Sequence, residues 1–188
     1  MTGGDRPAKD SARKQELLEA AYAYVTDHGL VEMSLRPLAE AVGSSPRVLL
    51  FLFGSKDELI RALLARARED ELAFLRQVDV DAGGLPAAGL RIWSWLAAAE
   101  HRSLLKLWTE AYARSLIDPA GPWHEFARQT VDDWLGILAA AQPPAVRRTR
   151  AGLAARTLAL AVLRGSLLDL LATDDERRVI GAVRAYFG

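Results

Sequence analysis

An all-α fold is the expectation for this chain, and three features of the sequence carry it. Alanine and leucine dominate the 188 residues, and β-branched runs are missing. Apolar residues recur three and four apart in segment after segment, whereas the strict alternation of a half-buried strand occurs nowhere. Serine, threonine, glycine and proline stand at the segment ends, where caps and stops belong. The chain is slightly long for one domain. A small N-terminal unit over 1–55 and a larger helical part over 56–188 are therefore expected, with about nine helices in all.

Composition removes several alternatives. There is no cysteine, so disulfides, thiolate-held zinc and thiol catalysis are excluded, and a reducing cytoplasm is compatible. The first fifteen residues, MTGGDRPAKDSARKQ, hold no apolar stretch of the kind a signal peptide needs. The longest apolar run, Ala151 to Ala172, contains Arg156, Arg164 and Asp169, which argues against a membrane span.

Residues 1–12 read as a polar arm, with Arg6, Lys9, Arg13 and Lys14 as its cations. A first helix over about 11–28 places Leu17, Leu18, Ala21 and Val25 on one side. It stops at Gly29, with His28 as a cation suited to the helix C-terminus. Ser34 then stands as N-cap to a short helix that buries Leu35, Leu38, Ala39 and Val42 and stops at Gly43. After Ser44, Ser45 caps a third helix with Pro46 in its first position. At 3.6 residues per turn, Leu49, Leu52 and Phe53 fall on one side and Arg47 and Phe51 on the other. Short helix, glycine turn and second helix with an arginine on its outer face read as a helix-turn-helix. Ser55 and Glu58 form a capping box for a fourth helix from Lys56 to about Val80, which buries Ile60, Leu63, Leu64, Ala67, Phe74 and Val78.

Taken together, Leu17 to Leu59 resembles the tetracycline-repressor (TetR) family of one-component bacterial transcription regulators. The resemblance rests on Leu17, Leu18, Ala20, Ala21 and Gly29; on Ser34, Leu35, Arg36, Leu38 and Ala39; and on Gly43, Ser45, Leu49, Phe53, Ser55, Lys56, Glu58 and Leu59. It covers about the first third of the chain without a gap. It implies a cytoplasmic homodimer that reads a palindromic operator in double-stranded DNA, acts as a repressor and is released by a small-molecule effector, without a cofactor. DNA contacts are then expected from Arg13, Lys14, Ser34, Arg36, Ser44, Ser45, Pro46, Arg47, Leu50, Phe51 and Lys56.

The recognition helix departs from its relatives. Where they tend to carry a tyrosine after the inward leucine, this chain has Leu50, followed by Phe51 and Leu52. Leaving a leucine or phenylalanine in water forfeits roughly 1.5–3 kcal/mol of burial each. Leu50 and Phe51 therefore either touch thymine methyl groups or pack against the fourth helix or the arm. Charge also runs against DNA binding: residues 1–60 hold seven basic and nine acidic side chains, a net of −2. A dimeric small-molecule or protein-binding protein with lost DNA affinity is the alternative.

Beyond the break at DVDAGGLP (Asp79 to Pro86), helices are expected at about 87–100, 103–117, 122–141, 144–172 and 174–187. All five tryptophans lie between 93 and 134. Trp93, Leu96, Trp108, Tyr112, Trp123, Phe126 and Trp134 are the candidate lining of an apolar ligand cavity, although aromatic residues at helical spacing also build plain cores. Glu100, His101, Arg102, Glu110 and His124 are the polar groups near them, and they also suit a solvated surface. In the 144–172 segment, Ala154, Leu158, Ala161, Gly165, Leu168 and Ala172 form a line of mainly small residues. Thr173 and Glu176 read as a capping box, and Val179, Ile180, Val183, Tyr186 and Phe187 as one stripe of the last helix. The family dimerises through its last two helices. Ala154, Leu158, Ala161, Gly165, Leu168, Val183, Tyr186 and Phe187 are therefore the candidate dimer interface. The arginines at 147, 148 and 150 read as a solvated helix start.

No catalytic constellation is legible. His124 and Glu125 begin like a zinc-protease helix, but position 128 is arginine where the second histidine belongs. Asp132 and Asp133 are adjacent and face different ways on a helix, so they make no acid–base pair.

Overall fold

The computed structural model describes the backbone of residues 5–30, 33–77 and 83–188, and the side chains of 10–30, 33–76 and 83–188. Among these residues there are ten α-helices, one short 3-10 turn at Ala99–His101 and no strand. The helices are α1 Asp5–His28, α2 Leu35–Ala41, α3 Pro46–Phe53, α4 Lys56–Gln77, α5 Gly84–Leu96, α6 Arg102–Ile117, α7 Phe126–Ala140, α8 Pro144–Arg147, α9 Arg150–Thr173 and α10 Glu176–Phe187. Two compact units emerge. The first joins Met1–Glu69 with Leu107–Ala127, and the second joins Asp70–Lys106 with Arg128–Gly188.

In the first unit α1, α2 and α3 pack on one another. Leu17, Ala21 and Val25 of α1 meet a core shared with Leu38, Ala39, Leu49 and Phe53, all buried, as the spacing predicts. The turn between α2 and α3 depends on Gly43, whose φ of +62° is strained for a side chain with a Cβ. The amide of Ser44 then donates to the Ala39 carbonyl at 2.8 Å, closing the end of α2. Helix α1 begins at Asp5, six residues before the expected start. Pro7 sits in its first turn, where no backbone donor is needed, and Ala8 to Arg13 contain no breaker. Residues 1–4, the side chains of Arg6 and Lys9, and Val78 lie outside the described residues.

In the second unit α9 and α10 pack on each other and both pack on α5. Ile92, Leu96, Leu163, Leu167, Leu170 and Val179 are among the buried side chains there. The expected helix at 144–172 is two helices, which raises the count from nine to ten. Thr149 breaks it: its hydroxyl donates to the Val146 carbonyl at 2.8 Å and accepts from the Gly152 amide at 2.9 Å, capping a new helix. A Cβ at Gly152 would stand 2.1 Å from the Val146 carbonyl oxygen, so only glycine fits this corner. Buried Gln142 ties the corner together, donating to the Gly152 carbonyl at 2.8 Å and accepting from Arg156 at 3.1 Å. Arg147 is not a solvated helix start; it donates to the carbonyls of Ala140 and Gln142 at 3.0 and 3.2 Å.

Other ends also shift. Helix α5 starts three residues early and closes at Leu96 before the 3-10 turn. Helix α7 starts only at Phe126, because the Pro119–Pro122 segment and the positive φ of Glu125 (66°) hold the chain in turns until then. The expected Thr173–Glu176 capping box does not form. Asp175 is the cap of α10, accepting from the Arg178 amide at 3.1 Å, while Thr173 still belongs to α9 and donates to the Asp169 carbonyl at 2.8 Å.

Candidate nucleic-acid interface

Helix α3 is held from beneath and open above. Ser45 caps it through the Val48 amide at 3.3 Å, and Leu49 and Phe53 anchor it in the core. Its other face is open to solvent among the described residues: Arg47 is exposed, Phe51 is 72% exposed, and Val48 and Leu50 are 39% and 38% exposed. At 100° per residue Leu50, Arg47, Phe51 and Val48 follow one another around a continuous outer arc. Phe51 is thus mostly open to solvent, whereas Leu50 is more than half covered; the arm's side chains up to residue 9 lie outside the described residues.

Cations frame that arc. Lys14 of α1 places its ammonium 5.2 Å from the centroid of the Phe53 ring, a cation–π contact that fixes a positive charge beside α3. Arg36, in the first turn of α2, and Lys56, the first residue of α4, are exposed, and neither carries a side-chain bond among the described residues. Arg13 is exposed but engaged by Glu16 at 2.7 Å, which lowers its availability to phosphate. Ser34 is exposed and occupies the extended N-cap position of α2, yet its hydroxyl makes no capping bond. Ser44 is half-buried, and Ser45 and Pro46 are exposed. The Ser55–Glu58 box forms by half: Ser55 accepts from the Glu58 amide at 3.1 Å, while the Glu58 carboxylate binds Arg61.

The unfavourable charge count is partly a matter of where it is cut. Glu19 is held by Arg66 at 3.0 Å and Glu58 by Arg61, both arginines beyond residue 60. Over residues 1–69 basic and acidic side chains are equal, ten of each.

The expected pocket residues divide between the units. Trp108, Tyr112, Trp123 and Phe126 belong to the first, where Trp108 and Tyr112 stack at 5.5 Å. Trp93, Leu96 and Trp134 belong to the second. All are buried except half-buried Tyr112. Sequence spacing missed the longest aromatic stack of the second unit, in which Phe74 lies 4.0 Å from Trp95 and Trp95 lies 4.0 Å from His101. Phe74 and Trp95 belong to different helices, so no local pattern joins them. Trp134 lies 6.5 Å from Phe74 and donates to the buried Glu71 carboxylate. A cavity of about 350 Å³ opens between α5 and α10, lined by Leu90, Trp93, Ser94, Ile180 and Arg184 among others. Glu110 is not solvated; its carboxylate accepts from the Leu30 amide at 2.9 Å and closes the end of α1. His28 stacks on Tyr24 at 4.1 Å. Arg102 reaches Asp174 at 3.4 Å. Where a protease would need its second histidine, Arg128 pairs with Asp132 at 3.6 Å. No group of three metal-ligating side chains is found among the described residues.

Along α9, Ala154, Leu158, Ala161, Gly165, Leu168 and Ala172 are all exposed, with Leu158 53% open to solvent. Val183 and Phe187 do not belong with them. They are turned into the protomer's own core, leaving Tyr186 with Ala182 on the outer side of α10.

A capped, outward-facing second helix after a glycine turn, braced by α1 and framed by cations, has the geometry of a helix-turn-helix. Residues 17–63 match the family of bacterial regulatory proteins described as the tetR family. Through these residues the chain is similar to the TetR family. It is 27% identical over 174 residues to the HTH-type transcriptional regulator BetI of Rhizobium meliloti, covering 90% of this chain and 71% of that protein. Its fold is similar to that of a transcriptional regulator from Rhodococcus sp. Rha1, with a TM-score of 0.74 at 20% identity over 93% of this chain and 94% of the other. The multidrug binding protein EbrR, solved with proflavin, gives a TM-score of 0.68 at 24% identity over 93% and 97% of the two chains.

Proposed function

We propose that this regulator is a homodimeric repressor that acts in the cytoplasm. Residues 1–55 read a palindromic operator, and 56–188 carry dimerisation and the response to a small organic effector. The observation that carries the DNA half is the outer arc of α3, centred on Arg47 and Phe51 and flanked by Lys14, Arg36 and Lys56. Arg47 is the hydrogen-bonding candidate for guanine, and the flanking cations, with Arg13 and the hydroxyls of Ser34, Ser44 and Ser45, dock on phosphates.

The dimer half is supported by α9. It is long and apolar enough to span a bilayer by composition, yet only 28% of its most apolar window is buried within the chain. Its small-residue stripe suits close approach of the same helix from a second copy, an isologous contact. Two reading helices then meet half-sites about 34–36 Å apart. EbrR was solved with proflavin and with ethidium, both planar aromatic molecules. The Phe74–Trp95–His101 stack favours a planar aromatic effector here too. Such a ligand acts by favouring one spacing of the reading helices over another, and about 1–3 kcal/mol of coupling suffices.

Selection of bound fragments from a random DNA pool tests the reading. The expected result is a palindrome with two half-sites one helical turn apart, bound with a steep salt dependence. Absence of duplex binding at low salt leaves the rival, a dimeric binding protein without DNA affinity, which Leu50 at the usual tyrosine position favours.

A further inference from the structure

We propose that the apolar edge of α3, Phe51 with Leu50 and Val48, reads the 5-methyl groups of thymines, so that the protein selects half-sites with thymine at the positions Phe51 meets. This rests on the DNA-binding reading above and adds what that reading leaves open, the chemistry of the bases selected. Phe51 is 72% exposed and lies one helical turn after Arg47 on the same ridge, so a helix docked through Arg47 presents the phenyl ring to the groove floor. Leu50 and Val48, each nearly two-fifths exposed, flank it on either side. Among the described residues Phe51 stays open to solvent, and the core already holds the two anchors, Leu49 and Phe53.

A second copy of the chain is the poorer occupant. Self-association through α3 brings Arg36, Arg47 and Lys56 against their own symmetry mates, whereas a duplex places phosphates opposite those cations and leaves the apolar centre facing bases. In the major groove the thymine methyl is the apolar feature on offer, and apolar side chains are its readers. A polar or tyrosine side chain at position 50 can bind phosphate; the exposed part of leucine offers only apolar contact.

The test compares the selected operator with the same duplex made with deoxyuridine in place of thymidine, which removes methyl groups and keeps every hydrogen-bonding edge. Fluorescence anisotropy is read for the full-length protein. One contacted methyl in each of two half-sites corresponds to about a 15-fold loss of affinity, from about fourfold per buried methyl. In Phe51→Ala and Phe51→Gln that difference shrinks to within about threefold. Equal affinity for the two operators overturns the proposal. So does full methyl discrimination retained in Phe51→Ala, because another group then reads the methyl. Loss of all duplex binding by the unaltered protein sinks the DNA-binding reading first, and this inference with it.

Discussion

The Lys14 ammonium sits 5.2 Å from the centroid of the Phe53 ring, so the last residue of the reading helix anchors a cation from the first helix. Phe53 is buried and Lys14 exposed, which makes the pair a bracket with its charge left free for a ligand. Lys14→Gln is expected to lower the slope of log affinity against log salt by about 0.9, the share of one phosphate contact. Thermal stability should move little, since an exposed cation–π contact contributes about 0.5–1 kcal/mol. An unchanged slope in a salt titration removes Lys14 from the DNA contacts.

Arg47 is separable from it. If it reads guanine, Arg47→Ala costs about 1–3 kcal/mol on the preferred operator and levels the preference at that base pair. Competition between single-base variants of the operator measures this. A uniform loss across all variants, with a lower salt slope, reassigns Arg47 to phosphate.

Gly165 offers a clean test of the dimer. A Cβ built there meets nothing within 4 Å beyond its own stretch of helix, so Gly165→Leu fits the protomer. Against a second α9 packed on the small-residue stripe, the same leucine has nowhere to go. Sedimentation should therefore show monomer at concentrations where the unaltered protein is a dimer, with circular dichroism unchanged. A dimer of normal stability moves the interface elsewhere.

The α9–α10 elbow carries a pH dependence of known sign. Arg178 donates to both Asp169 oxygens at 2.7 Å, and this hydrogen bonding holds the Asp169 carboxyl below its ordinary range. A carboxyl with a lowered folded value stabilises above the unfolded aspartate range, and that contribution fades as pH falls through the folded value. In Arg178→Leu the Asp169 carboxyl should titrate at the usual aspartate value by carbon NMR. A titration that stays low in the variant assigns the effect to another group.

At Gly152 the expected response is steric. Gly152→Ala drives a Cβ into the Val146 carbonyl and should destabilise by about 1–3 kcal/mol, the range for overpacking. Urea unfolding at unchanged m-value would register it.

The reading unit was legible because its signals are local. Ser45, Pro46, Gly43 and the Leu49–Phe53 spacing act within a few residues of one another, and the structure uses each as expected. What escaped depends on partners far along the chain. Gln142 is satisfied by Gly152 and Arg156, so the break between α8 and α9 is set by a corner that periodicity cannot see. Phe74 pairs with Trp95 across helices, and Glu110 serves Leu30 eighty residues away. The stripe on α10 misled for a related reason. Val183 and Phe187 are as apolar as an interface requires, and only packing decides that they face inward.

Glu110 has a mechanical meaning. It stands in the same unbroken α6 that starts at Arg102, and it grips the main-chain N–H of Leu30, just past the end of α1. The end of α1 is therefore tethered to α6 by a carboxylate–amide bond between residues eighty apart in the chain.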